Sequence, residues 1–161
     1  MTEFLKVTTD EQVQRVVSLA AVVWPQHYDP IIGHDQVVYM LENLQSASAI
    51  EGQIHDGAEY FLICDGECDA GYLSYTNSEQ ELFLSKIYVL EEFQGRGLGK
   101  AAISFIKTNA GSKPITLTVN KDNSDSIVFY QRIGFKMSGE VVIDIGGGYV
   151  MDDFTMLCEP L

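Results

Sequence analysis

Glu91-Glu92-Phe93-Gln94-Gly95-Arg96-Gly97-Leu98-Gly99-Lys100-Ala101-Ala102 sets three glycines at alternate positions between a pair of acids and an apolar helical pattern. The strand candidate LFLSKIYV, residues 82–89, runs into this stretch. A helix that starts near Leu98, with Ala102, Phe105 and Ile106 on its buried face, runs out of it. A strand, a glycine loop and a helix N-terminus together make an anion site. The first helical amides lack intrahelical acceptors, and the helix dipole favours negative charge. Glycines let those amides converge on one phosphate with no Cβ atoms in the way. A loop that merely enters a helix needs neither three alternate glycines nor the interleaved Arg96 and Lys100, so anion binding is the better reading.

Three phosphate motifs compete for the stretch. A Walker A loop requires Gly-Lys-Ser/Thr, whose hydroxyl serves Mg²⁺, and here Gly99-Lys100 is followed by Ala101. A dinucleotide fingerprint begun at Gly95 or Gly97 requires a glycine at 100 or 102, which are Lys100 and Ala102. The pattern Gln/Arg-x-x-Gly-x-Gly/Ala, in contrast, fits Gln94-Gly95-Arg96-Gly97-Leu98-Gly99 throughout.

Outward from the loop, the periodicity orders the chain. FLKV is a short strand, and Thr8-Thr9-Asp10-Glu11 offers a capping box for a helix carrying Val13, Val16, Val17, Ala20 and Trp24, which Pro25 is expected to end. A second amphipathic helix fits residues 35–45. The segment Trp24–Pro30 between them reads as an aromatic connection suited to lining a pocket. YFLIC, Asp65-Gly66 and AGYLSY form a hairpin, and Asn77-Ser78 turns the chain into residues 82–89. After the loop helix, which Gly111 and Pro114 stop, come the strand ITLTV (115–119) and a short helix capped by Asn123 or Ser124 and closed by Gly134. FKMSGEVVIDI and YVMDDFTML, joined by Gly146-Gly147-Gly148, are the last strands. The order β-α-α-β-β-β-α-β-α-β-β predicts an α/β (α+β) fold, with a mixed, mostly antiparallel central sheet flanked by helices.

The bulk properties exclude several classes. A length of 161 residues suits one domain over residues 1–161, able to bury roughly 68–70% of its unfolded surface. No 18-residue apolar run and no basic-then-apolar leader is present, so the expected location is the cytosol, with no membrane role. Cys64, Cys68 and Cys158 read as free thiols, and no spacing completes a metal site. A net charge of −13 argues against nucleic acid as a partner and favours a cationic small molecule. The glycine loop sits in the least acidic region, with Lys86, Arg96, Lys100 and Lys107 against Glu91 and Glu92.

A second block, Asn123-x-x-Ser126-Ile127-x-Phe129-Tyr130-Gln131-Arg132-Ile133-Gly134-Phe135, follows at a distance. Together with Gln94–Gly99 and the element order, it resembles the GNAT superfamily of acetyl-CoA-dependent N-acetyltransferases, with Ser126 where Ala is usual. The resemblance spans nearly the whole chain and implies a GNAT-like acyl-CoA N-acyltransferase fold. It implies acetyl-CoA as acyl donor, no metal, and direct transfer to a primary amine of a small molecule or peptide. By that likeness Gln94, Gly95, Arg96, Gly97, Leu98, Gly99 and Lys100 cradle the CoA pyrophosphate. The strand Ile87-Tyr88-Val89 is bulged and splays from ITLTV to receive pantetheine, and one of its amides meets the oxyanion. Asn123 lies beside the cofactor arm or simply caps its helix.

Tyr130 matches the family's tyrosine and is the expected acid for the departing thiolate, with core packing as the competing role. The family's strand glutamate aligns with Phe83, which leaves the base open among Glu81, His27, Asp152, Asp153 and water. Trp24, Tyr28, Glu81 and Tyr149 are the expected acceptor-site residues, and an aromatic, acidic pocket there suits a polyamine-like amine. Many relatives dimerise, so a homodimer is compatible with the resemblance, although no segment specifies an interface. A non-catalytic acyl-CoA-binding regulatory module is the alternative function.

Overall fold

The computed structural model describes residues 1–160. Its elements are β1 (Thr2–Lys6), α1 (Asp10–Ile32), α2 (His34–Leu44), α3 (Ala47–His55), β2 (Glu59–Asp65), β3 (Cys68–Asn77) and β4 (Leu82–Val89), then α4 (Leu98–Ala110), β5 (Ile115–Asn120), α5 (Ser124–Arg132), β6 (Lys136–Gly146) and β7 (Tyr149–Cys158). The strands form one sheet in the order β1-β2-β3-β4-β5-β7-β6. Every pairing is antiparallel except β4 with β5. The expected mixed, mostly antiparallel sheet is therefore present.

The sheet separates two apolar layers. Leu73, Tyr75, Leu82, Leu84, Leu117 and Met156 pack on one face against Ala102, Ile103 and Ile106 of α4 and Tyr130 of α5. Tyr60, Leu62 and Tyr72 pack on the other against Val16, Ala20, Val23 and Trp24 of α1, Val37 and Met40 of α2, and Ile50 of α3. Period-2 alternation along each central strand supplies both faces.

Three local expectations are corrected. The N-terminal cap of α1 is shifted by one residue: Thr9 Oγ1 accepts from Gln12 N at 3.2 Å, and Gln12 Oε1 accepts from Thr9 N at 3.1 Å. Pro25 does not end α1, which continues through Pro30 to Ile32. Each proline deletes one helical hydrogen bond, but the residues beyond Pro25 still have a surface to bury. Tyr28 packs edge-on to Trp24 at 5.3 Å and to Tyr88 at 5.9 Å, and its hydroxyl meets that of Tyr88 at 2.9 Å. The third correction is α3, a helix absent from the predicted order. Ser46 caps it by accepting from Ala49 N at 3.2 Å, and Ile50 anchors it.

Two approaches fix the rest of the frame. At Gly71, paired with Val89, an added Cβ would lie 2.0 Å from the carbonyl oxygen of Tyr88. At the tip of the β6–β7 hairpin, Gly146 and Gly147 have positive φ and rest on the ring of Tyr39, whose hydroxyl donates to Ile145 O at 2.8 Å. The hairpin is thereby fastened over α2. Among the described residues no helix is long and apolar enough to cross a membrane.

Gly71→Ala should force β3 away from β4 and cost about 1–3 kcal/mol, as overpacking at a rigid contact does. The urea midpoint measures it, with Gly52→Ala as the control, because space is open around that helical glycine.

Candidate active site

The site begins with one surplus residue. Tyr75 of β3 faces Leu84 of β4, but its neighbour Ser74 faces Lys86, so Ser85 is a bulge on β4. A bulge exchanges the faces of everything beyond it. Leu82 and Leu84 point into the α4–α5 layer, and after Ser85 it is Ile87 and Val89 that do so. Tyr88, and Lys86 two residues before it, turn to the α1–α3 side. The same strand pairs with β5 only at Leu82–Leu84 against Ile115–Leu117. Beyond that point β4 stays with β3 and β5 with β7, and the strands part in a wedge.

A cavity of about 730 Å³ opens from the wedge toward the glycine loop. Ile87, Tyr88 and Val89 form one wall, and Gln94, Gly95, Gly97, Leu98, Gly99 and Lys100 form the floor. Gly95 and Gly97 adopt φ of 79° and 80°, a conformation that glycine takes without strain. No side chain caps α4, and its ladder starts only where Ala101 N bonds Gly97 O at 3.0 Å. The amides of Leu98, Gly99 and Lys100 are therefore left to an outside acceptor, and Lys100 itself borders the cavity. Gln94 holds the turn by donating from Nε2 to Val89 O at 3.1 Å.

A second cavity of about 240 Å³ lies on the α1–α3 side of the sheet. Trp24, Tyr28, Met40, Phe83, Lys86 and Asp153 are among its walls. The indole N–H of Trp24 is already committed to Tyr72 Oη at 2.8 Å, and Tyr72 in turn donates to Gln45 Oε1 at 2.6 Å. Trp24 thus serves the cavity as an apolar wall. Asp153 is 1% exposed, and its Oδ1 has no hydrogen-bond partner. Burial raises its pKa, against a lowering contribution from the Thr118 hydroxyl. Burial also pulls the Lys86 ammonium down to about 8.

His27, Ile87, Tyr88, Asn123, Ser126 and Tyr130 border both cavities. Asn123 Oδ1 accepts from Ser126 N at 3.3 Å as the cap of α5, which leaves Nδ2 to donate to His27 Nε2 at 3.0 Å. His27 therefore carries its proton on Nδ1, and burial lowers its pKa against the pull of Asp125. Burial, and then the neighbouring Tyr28, push the Tyr130 phenol well above its ordinary range. Tyr130 is thus a neutral hydroxyl at the junction of two cavities.

Three expected site residues lie elsewhere. Arg96 turns from the loop to Asp65, at 3.3 Å, and stacks on Phe93, because its side chain leaves the turn on the solvent side. Glu81 sits in the tight turn before β4, where Ser78 Oγ accepts from its amide at 3.2 Å, and it borders neither cavity. Tyr149 is held by Tyr39, with ring centroids 5.2 Å apart, and also lies outside both. Of the side chains considered for the base, Asp152 is exposed and paired with Lys121 at 2.9 Å, whereas Asp153 faces inward. Lys86 was missed as a site residue, since strict alternation from Leu82 and Leu84 assigns it to the opposite face. The one available signal was a lysine inside an otherwise apolar strand.

Comparison with known proteins agrees with this geometry. Residues 28–150 match the acetyltransferase (GNAT) domain family. The chain belongs to that family. It is 42% identical over 60 residues to the 5-NmdU N-acetyltransferase of Pseudomonas phage PaMx11, covering 37% of this chain and 43% of that one. It is 34% identical over 79 residues to the spermine/spermidine N(1)-acetyltransferase of Bacillus subtilis (strain 168), covering 47% and 51%. The matched regions thus span about half the length of these curated relatives. The fold superposes on the PaiA N-acetyltransferase of Thermoplasma acidophilum, solved with coenzyme A, with a TM-score of 0.77, 19% identity and 99% of both chains covered.

A neutral, buried His27 makes folding sensitive to mild acid. Its folded pKa lies below the unfolded value of about 6.5, so the unfolded chain binds the extra proton and stability falls as pH drops through that value. His27→Gln should flatten the decline between about pH 7 and pH 5, read as urea midpoints across that range.

Proposed function

We propose that this chain transfers an acetyl group from acetyl-CoA to the primary amine of a small molecule, with the donor in the larger cavity and the acceptor in the smaller. The observation that carries this reading is the meeting of the two cavities at Tyr130. Curated relatives named as N-acetyltransferases support it.

The larger cavity fits the donor. Uncapped amides of Leu98, Gly99 and Lys100, in a loop that carries the basic Lys100, suit a pyrophosphate. The edge of β4 freed from β5 offers Ile87–Val89 main chain to the amides of the pantetheine arm. Acetyl-CoA supplies the thioester: the C–S bond breaks as the new N–C bond forms, and the second proton of the attacking nitrogen passes to the departing sulfur, so that CoA leaves as the thiol. The chain's own groups do the rest. The smaller cavity meets the wedge through Ile87, Tyr88 and Tyr130, which it shares with the larger one.

An alkylammonium has an ordinary pKa of about 10.4, so it has to give up a proton before its nitrogen can attack. Asp153 is the acceptor for that proton. Its Oδ1 is free, and burial makes it more basic than a surface carboxylate. Tyr130 stays protonated at any physiological pH, and its hydroxyl donates a hydrogen bond to the sulfur as negative charge grows there. Full loss of its proton would bury a phenolate, so hydrogen-bond donation is the larger part of its role.

Thiol release from acetyl-CoA over a panel of primary amines tests the activity. Thermal stabilisation by CoA with no turnover on any amine would instead make the chain an acyl-CoA-binding module. Tyr130→Phe should bind CoA normally and lose about 10²–10⁴-fold in kcat, the usual contribution of a positioned proton donor. An unchanged kcat removes Tyr130 from the chemistry. Asp153→Asn should lower kcat/KM by a similar factor, and a shift confined to CoA affinity would place Asp153 elsewhere.

A further inference from the structure

We infer that the acceptor is a small amino acid-like molecule, its amine directed to Asp153 and a carboxylate to Lys86. This rests on the acetyl-transfer reading and adds the class of substrate.

Among the described residues, the smaller cavity carries two formally charged side chains, Lys86 and Asp153. Both project from the same face of the sheet, because the bulge at Ser85 turns Lys86 to the side that Asp153 already occupies. Their strands, β4 and β7, are separated by β5, and at Lys86 β4 has already parted from β5. The Lys86 ammonium leans toward Tyr60 of β2, on the side of β4 away from β7, so the two charges stand at opposite ends of the cavity.

Neither charge is neutralised from within. Lys86 Nζ meets the Ser85 hydroxyl at 3.0 Å and lies 5.6 Å from the centre of the Tyr60 ring, and among the described residues no carboxylate is within ion-pair distance. Asp153 keeps an unpartnered oxygen at 1% exposure. A partly buried cation and a buried anion, each lacking a counter-ion and facing one cavity, fit a ligand that brings both charges.

The same pair discriminates. A polyamine would carry two or more ammonium groups into a cavity with one carboxylate, and the second would approach Lys86. That like-charge encounter disfavours it. The volume of about 240 Å³ falls below the usual range for drug-sized ligands, which suits a small molecule.

Matched probes test the inference: 4-aminobutyrate against butylamine, 6-aminohexanoate against hexylamine, and lysine against cadaverine, each with saturating acetyl-CoA. The expected result is a kcat/KM at least about tenfold higher for the acid-bearing member of a pair, the gain expected of a charge-assisted hydrogen bond. Lys86→Met should bring that ratio close to one, and Lys86→Arg should keep it above one. Equal or better turnover of the plain amines overturns the inference while leaving acetyl transfer intact. If no probe is turned over, the activity reading fails on its own. Calorimetric binding of the same pairs to the CoA-saturated chain then decides the pocket: preference for the acid upholds the inference, and its absence ends it.

Discussion

The separation of β4 from β5 is the constraint on which the rest of the molecule depends. The two strands share only three paired positions, and the gap beyond them exists because Ser85 is an extra residue in β4. Had the pairing run on to Val89, the wedge would close and the backbone edge that faces the larger cavity would be spent inside the sheet. Had Ser85 been accommodated without a bulge, Lys86 and Tyr88 would point into the α4–α5 layer and Ile87 and Val89 out of it. A buried charge would then sit in an apolar core. One inserted residue thus decides both where a donor can lie and which side chains meet an acceptor.

The two cavities are built by different means. The larger draws on main-chain amides, two glycines with positive φ and the start of a helix. The smaller is lined mainly by residues of α1, α2 and strands β4, β5 and β7, with Asn123, Ser126 and Tyr130 where it meets the larger. Asn123 links the two constructions by capping α5 with its oxygen and fixing the His27 tautomer with its nitrogen. A polar relay through Trp24, Tyr72, Gln45 and Tyr60 stiffens the sheet behind the smaller cavity.

Legibility in the sequence follows the same division. Gln94–Gly99 and Asn123–Phe135 were readable because backbone geometry restricts which residues can occupy such turns and caps. Apolar runs bounded by turn residues located all seven strands, and Tyr28 and Tyr130 border the cavities. What escaped was set by long-range packing. Pro25 reads locally as a stop, and only the distant ring of Tyr88 explains why the helix goes on. Lys86 reads as one base among several, since no local signal marks Ser85 as a bulge. Arg96 and Tyr149 lie close in sequence to the right elements, but their side chains are claimed by Asp65 and Tyr39.

The persistence of α1 through its prolines has a mechanical consequence. Pro25 and Pro30 carry no amide hydrogen, so the carbonyls of Ala21 and Gln26 lose their helical donors. This stretch also roofs both cavities, through Gln26, His27 and Ile31 over one and Trp24, Tyr28 and Ile32 over the other. Its first half is pinned to the sheet by the Arg15–Asp69 ion pair at 2.6 Å. Lifting the second half breaks two fewer backbone bonds than lifting an equal length of ordinary helix. The roof over both cavities is thus held less by its own backbone ladder than by side-chain contacts such as those of Tyr28 with Trp24 and Tyr88.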